Sequence, residues 1–160
     1  MSLNRKPGIS NSRNVCMASA SGKFIWFADY DDVFYVEGLK KMFDAALSHD
    51  DVNTFCAKIE RINYEGKLDQ PDHELYKRLD GKVVSDKKII AKLLDFVYIG
   101  LMRFVFRREF LEASGIKFNL NVSVMEDFEF LYRFLAKYPK TLVIDAMVYR
   151  YIKHENKNAW

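Results

Sequence analysis

The stretch Lys23-Phe-Ile-Trp-Phe-Ala-Asp-Tyr-Asp-Asp32 decides how the chain is read. A continuous apolar run that stops abruptly at Asp29 has the pattern of a short strand buried on both faces. Asp29, Asp31 and Asp32 follow at once, and ligand sites in open α/β sheets lie beyond the carboxyl ends of strands. Carboxylates at this density call for a cation. Oxygen ligands suit Mg2+ or Mn2+, which bind through one or two carboxylates while water and phosphate oxygens fill the remaining positions. A metal-bound diphosphate is the matching partner. The plainer reading is that Asp31 and Asp32 serve as turn and cap residues for the helix that follows.

Two other acidic-loop chemistries compete with this one. A calcium EF-hand starting at Asp29 would place Val33, Phe34 and Lys40 where an oxygen ligand, a glycine and a glutamate are required, so it fails. The haloacid-dehalogenase phosphatase pattern, an apolar strand followed by Asp-x-Asp-x-Val, fits residues 24–33 and would make Asp29 a nucleophile and Asp31 an acid/base. It also needs a later Gly-Asp-x-x-x-Asp motif, for which the chain offers only Met125-Glu-Asp-Phe128.

Working outward, residues 8–22 read as a polar, Ser- and Asn-rich approach to the strand. Residues 36–49 carry Leu39, Met42, Phe43, Ala46 and Leu47 at helical spacing. A partly alternating strand follows over 53–64, and 67–82 reads as irregular, a variable loop on the acceptor side. Ser85 caps an expected helix with Ile89, Ile90, Leu93, Leu94 and Val97 inward, ending near Gly100. The rest reads as a strand over 101–107, a short helix over 108–114 closed by Gly115, a helix over 126–138 with Phe128, Leu131, Tyr132 and Leu135 inward, and a strand over 141–151. Strands and helices alternate without internal repeat, which gives an α/β class with a mixed sheet flanked by helices in one domain, 1–160.

Glu126 and Asp127 open the last long helix. Acids in a first helical turn are favoured by the macrodipole, so the pair needs no catalytic explanation by itself. A hydroxyl attacking a sugar carbon does need a general base, and a carboxylate close to the metal site is the group for it.

Gly8-Ile-Ser-Asn-Ser-Arg-Asn14, Ala18 and Gly22 before Phe24-Ile-Trp-Phe-Ala-Asp-Tyr-Asp-Asp32 resemble the Gly-x-Ser-x-Ala/Ser-Arg-Asn … Phe-Leu-Asp-Ala-Asp-Asp signature of family-2 glycosyltransferases with the GT-A fold. Phe106-Arg-Arg-Glu-Phe-Leu111, Gly115-Ile-Lys-Phe118, Glu126-Asp127 and Tyr149-Arg-Tyr151 with His154 follow in the order usual for bacterial members. The resemblance implies a metal-dependent inverting transfer of one sugar from a nucleotide-diphosphate sugar donor to a carbohydrate or lipid-linked acceptor, in bacterial surface polysaccharide synthesis. It implies that Asp29 contacts the ribose, Asp31 binds Mn2+ or Mg2+ with Asp32 in support, and Arg13 lies near the nucleotide. Asp127 is the implied base, with Glu126 beside it, and His154 approaches the metal.

Departures qualify this. Family members begin with a Val-Ser-Ile-Ile-Ile-Pro-x-Tyr-Asn strand and a long segment before Gly-x-Ser that carries contacts to the nucleotide base; none of that precedes Gly8, and Met1-Ser-Leu3 resembles an expression leader. The chain therefore reads as a partial catalytic domain, weak or inactive on its own, with exposed sheet edges that invite homodimerisation. Asn156 stands where a serine is usual, and the Gln-x-x-Arg-Trp motif of processive synthases is absent. The rival from another class is a non-catalytic module that binds carbohydrate or a partner.

Composition sets the frame. With 49% hydrophobic and 29% charged residues, the 160-residue chain can bury a core, and its net charge of +3 is dispersed among acids, which points away from nucleic acid. Cys16 and Cys56 lack metal or redox spacing and read as buried reduced thiols of a cytoplasmic protein. The most apolar stretch, 93–106, contains Asp95 and Arg103 and is shorter than the about 20 residues a bilayer span needs, so membrane association would be peripheral, at the inner face.

Overall fold

The computed structural model describes residues 8–63, 65–70, 74–86, 88–89, 92 and 100–152, and statements of absence below concern these residues. In chain order the elements are α1 (Ile9–Ser19), β1 (Phe24–Trp26), β2 (Val33–Phe34), α2 (Val36–Ser48), β3 (Thr54–Ile62), β4 (Leu68–Gln70), α3 (Glu74–Leu79) and β5 (Val83–Val84). A 3-10 turn (Leu101–Arg103) then leads into β6 (Phe104–Arg107), α4 (Arg108–Ser114), α5 (Glu126–Leu135) and β7 (Thr141–Ile152).

The seven strands of the described residues join one mixed sheet in the order β1-β6-β3-β7-β2, with β4 on β3 and β5 on β7. The β3–β7 pair at its centre is parallel, and the other pairings are antiparallel. Twelve residues of β7 run beside nine of β3, and the surplus is taken up in register shifts at Ala57/Lys58 and Lys58/Ile59. Bulges of this kind re-aim the side chains beyond them. Here those side chains are Tyr149 and Tyr151.

Each face of the sheet buries its own core. On one, Met42 and Ala46 of α2 cover Phe55, Ala57, Val105 and Val148. On the other, Phe130, Leu131, Phe134 and Leu135 of α5 pack with Phe106, Phe118 and Leu111. Alternation along β1 and into Phe27, the residue after it, divides the aromatics between the two. Trp26 lies edge-on to Phe34 and Tyr149 at 5.6 and 6.0 Å, whereas Phe27 lies against Phe106, Phe118 and Phe130 at 5.4–6.0 Å. Aromatic contacts of this geometry each contribute about 0.5–1.5 kcal/mol beyond area burial. The backbone leading to Asp29 is thus pinned from both sides.

Several expectations need correction. β1 is shorter than expected and lies at one end of the strand order with only Ile25 fully buried, so it is not a strand covered on both faces. The polar approach at residues 9–19 is a helix, held by tertiary bonds and not by its own weak amphipathicity. The Asn14 side chain donates to Phe118 O at 2.9 Å and accepts the Phe118 amide at 2.8 Å. The segment 67–82 contains β4 and α3, because Leu75, Tyr76 and Leu79 reach the core. In α5 the inward residues are Phe130, Leu131, Phe134 and Leu135, while Tyr132 is exposed and Phe128 only partly covered. Leu47 also faces solvent. Residues 101–107 divide into a 3-10 turn and a four-residue strand. Cys56 is buried as expected, but Cys16 is exposed. The helix expected over 85–100 falls largely outside the described residues.

Candidate active site

The residues singled out in the sequence come from three separate elements. Arg13 projects from the second turn of α1, Asp29 ends the extended segment after β1, and Glu126 and Asp127 form the first turn of α5. They meet along one open cleft of about 330 Å3, whose other wall is built by Ile59, Arg61, Gly100, Met102 and Tyr151.

Arg13 organises the acidic wall. Its Nη1 lies 2.8 Å from Glu126 Oε1 and its Nη2 lies 3.7 Å from Asp29 Oδ1. The Arg13 and Glu126 side chains are only 14% and 13% exposed, so their mutual charge compensation is not screened by water as a surface pair would be. The guanidinium also sits 5.4 Å from the Phe118 ring centroid, which fixes its plane.

Asp127, like Glu126, is half-buried. Burial raises its carboxyl above the ordinary carboxylate range, and the neighbouring Glu126 charge adds to the rise. The Phe128 amide, which donates to Asp127 Oδ1 at 2.8 Å, and the Arg13 charge act in the opposite direction. Met125 precedes the helix in a left-handed conformation, φ 60°. A non-glycine residue held there carries a strain cost, and the turn it makes delivers Glu126 and Asp127 to the cleft.

The loop after β1 is fixed by β7. Tyr149 Oη donates to Asp32 Oδ2 at 2.6 Å and accepts the Asp29 amide at 2.9 Å, while the Ile152 amide donates to Asp32 Oδ1 at 2.8 Å. Both Asp32 oxygens therefore bind β7. Asp31, between them, lies in the turn and is partly exposed. His154 lies outside the described residues.

Among the described residues, no three His, Cys, Asp or Glu side chains converge on one point. The donor set still fits a divalent cation of the Mg2+ or Mn2+ type, because such ions take one or two carboxylates and complete their shell with phosphate oxygens and water. Asp31 is not among the residues that line the cleft, and the oxygens of Asp32 are engaged in holding the loop.

Tyr149, Tyr151 and Arg61 were not singled out as site residues. Tyr149 and Tyr151 stand two apart on the last strand, so alternation gives them one face, but the bulges that aim that face at Asp29 leave no mark in the sequence pattern.

The sequence profile described as Glycosyl transferase family 2 matches residues 1–114. The fold matches the crystal structure of S. aureus TarS 1-349 in complex with UDP-GlcNAc, with TM-score 0.71 and 20% identity over 95% of this chain and 41% of that one. The same protein in complex with UDP matches with TM-score 0.65 at 22% identity, over 91% and 40% of the two chains. A mycobacterial protein matches with TM-score 0.52 at 17% identity, over 98% and 47%. The chain thus spans about two fifths of the TarS chain to which it is similar. No curated protein matches it. The architecture is that of the GT-A glycosyltransferases, and no helix among the described residues is long and apolar enough to cross a membrane.

Proposed function

The chain belongs to glycosyl transferase family 2, and from that membership we propose that it transfers a single sugar, with inversion, from a nucleotide-diphosphate donor to an acceptor hydroxyl. The observation that carries the reading is the meeting of Arg13, Asp29, Glu126 and Asp127, drawn from positions more than one hundred residues apart, along one cleft.

Asp127 is the base. Burial raises its basicity, and the Phe128 amide and Arg13 oppose that rise. Glu126 anchors Arg13 beside it and is the second carboxylate of the acceptor side. Asp29 faces the donor ribose, and Arg13 lies near the nucleotide. Asp32 holds the loop through Tyr149 and Ile152, and Asp31 is the carboxylate we assign to the diphosphate. A divalent cation on Asp31 would stabilise the charge that develops on the departing diphosphate.

TarS binds UDP-GlcNAc, which makes that compound the first donor to try. We assign the acceptor to carbohydrate or lipid-linked carbohydrate of a bacterial surface polysaccharide, met at the inner face of the membrane.

Nucleotide release from UDP-, GDP- and dTDP-sugars in the presence of Mn2+ tests the proposal. Release from one donor class, lost in Asp127→Asn, is expected. Silence with every donor would favour a module that binds carbohydrate without turning it over.

A further inference from the structure

The acidic loop runs straight into β2, and β2 by itself is a weak hold. It is two residues long, stands last in the strand order and leaves both Val33 and Phe34 exposed. What fastens it lies outside the cleft. Arg150, the partner of Val33 on β7, is also the partner of Glu60 on β3. Glu60 Oε1 accepts both Arg150 Nε and the hydroxyl of Tyr35, the residue that follows β2. The Arg150 guanidinium sits 5.3 Å from the Tyr35 ring centroid, and the Tyr35 amide donates to Val148 O at 3.1 Å. Tyr35 also occupies the N-cap position of α2, yet its side chain makes no capping bond there. Its hydroxyl is committed to Glu60, whose side chain is only 18% exposed, so water competes weakly for the shared oxygen.

From this geometry we infer that Tyr35, Glu60 and Arg150 form a clamp that positions the loop from Asp29 to Asp32 for the donor, although none of the three lines the cleft. The inference rests on the transferase reading and adds three positioning residues to it. Tyr149 and Ile152 already bind the Asp29 amide and the Asp32 carboxylate. Those bonds are in reach only while Val33 stays opposite Arg150. A strand that slips by one residue turns its side chains to the other face, and a slip of β2 would carry Asp32 away from the Ile152 amide and Asp31 with it. The clamp opposes that slip by tying the residue after β2 to two strands at once, to β7 through Val148 O and to β3 through Glu60. Apparent affinity for a ligand scales with the fraction of protein in the competent form. Releasing the clamp therefore lowers donor affinity without removing any group that touches the donor.

Two measurements on the whole 160-residue chain test this: calorimetric titration with UDP and Mn2+, and amide hydrogen exchange of residues 29–34 compared with residues 54–57 of β3. Tyr35→Phe removes the hydroxyl and keeps the ring beside Arg150. It should weaken UDP about tenfold and speed exchange over 29–34 while leaving 54–57 as in the parent. Glu60→Leu removes the acceptor for both partners and should cost at least as much affinity. Adding Tyr35→Phe to it should then cost nothing further, because the bond is already gone. Arg150→Met should also weaken UDP, and Arg150→Lys, which keeps a cation beside Glu60, should recover most of the loss. The inference is overturned if Tyr35→Phe leaves UDP affinity unchanged, if its effect adds fully to that of Glu60→Leu, or if exchange quickens equally over 54–57, which would mean a general loosening of the fold. Faster exchange confined to 29–34 in a chain whose parent binds no UDP would uphold the clamp on the loop and remove the transferase reading.

Discussion

The Tyr149 hydroxyl donates to Asp32 Oδ2 at 2.6 Å, and the same oxygen accepts the Asp29 amide at 2.9 Å, so one side chain of the last strand holds both ends of the acidic loop. Burial and the Asp32 carboxylate keep the phenol protonated, since both raise its pKa. Tyr149→Phe removes the donor and leaves two polar groups without it. Stability should fall by about 1–3 kcal/mol, read as a drop of about 2–4 °C in Tm per kcal/mol. Affinity for UDP with Mn2+ should fall as well, because Asp29 and Asp31 are no longer held in place.

The Asp127 carboxylate is held at a cost in stability. Its folded pKa is raised by burial, so the fold favours the protonated carboxyl. The stability associated with that proton is fully present below the ordinary carboxylate pKa of about 3.9 and is lost as pH rises through the folded value. Asp127→Asn should therefore match the parent in Tm at low pH and exceed it at neutral pH, while activity disappears. Thermal unfolding across pH 3–8 checks the sign; a mutant equally or less stable at neutral pH would contradict it.

Arg13 and Glu126 should be strongly coupled. Removing one partner of a largely buried pair exposes the other to an uncompensated desolvation cost of about 3–5 kcal/mol. In a double-mutant cycle with Arg13→Met and Glu126→Gln, the double mutant should lose about 0.5–3 kcal/mol less than the sum of the singles. Denaturant unfolding of the four proteins measures it.

Gly38 sits where α2 crosses β7 most closely. A Cβ there would lie 1.7 Å from the Met147 carbonyl oxygen, and that obstacle is backbone, which cannot swing aside. Gly38→Ala should destabilise the chain by about 1–3 kcal/mol or more, despite alanine's better helix propensity. A mutant as stable as the parent would show that the approach is looser.

How much of this could be read in the sequence depended on what set each feature. The apolar run 24–28 and the helical spacing of Leu39, Met42 and Ala46 are local patterns, and both elements form close to where the patterns put them. The helix at residues 9–19 was missed because Ser and Asn favour turns and caps when considered alone; only Asn14 bonding to Phe118, 104 residues away, commits them. In α5 the periodicity gave the helix but not its rotation, since a run as aromatic as Phe128, Phe130, Tyr132 and Phe134 supports more than one face. The acidic residues were visible as clusters. The tyrosine clasp and the Arg61 wall were not, because they depend on the register of a parallel pair and on bulges in β7.

The central claim is that the loop from Asp29 to Asp32 presents a metal-bound nucleotide diphosphate to Asp127. The most direct measurement is calorimetric titration of UDP into the chain with and without Mn2+, for the parent, Asp31→Ala and Asp127→Asn. Affinity that requires Mn2+, is lost in Asp31→Ala and survives in Asp127→Asn is the predicted result. Binding indifferent to Mn2+, or unchanged in Asp31→Ala, would contradict it.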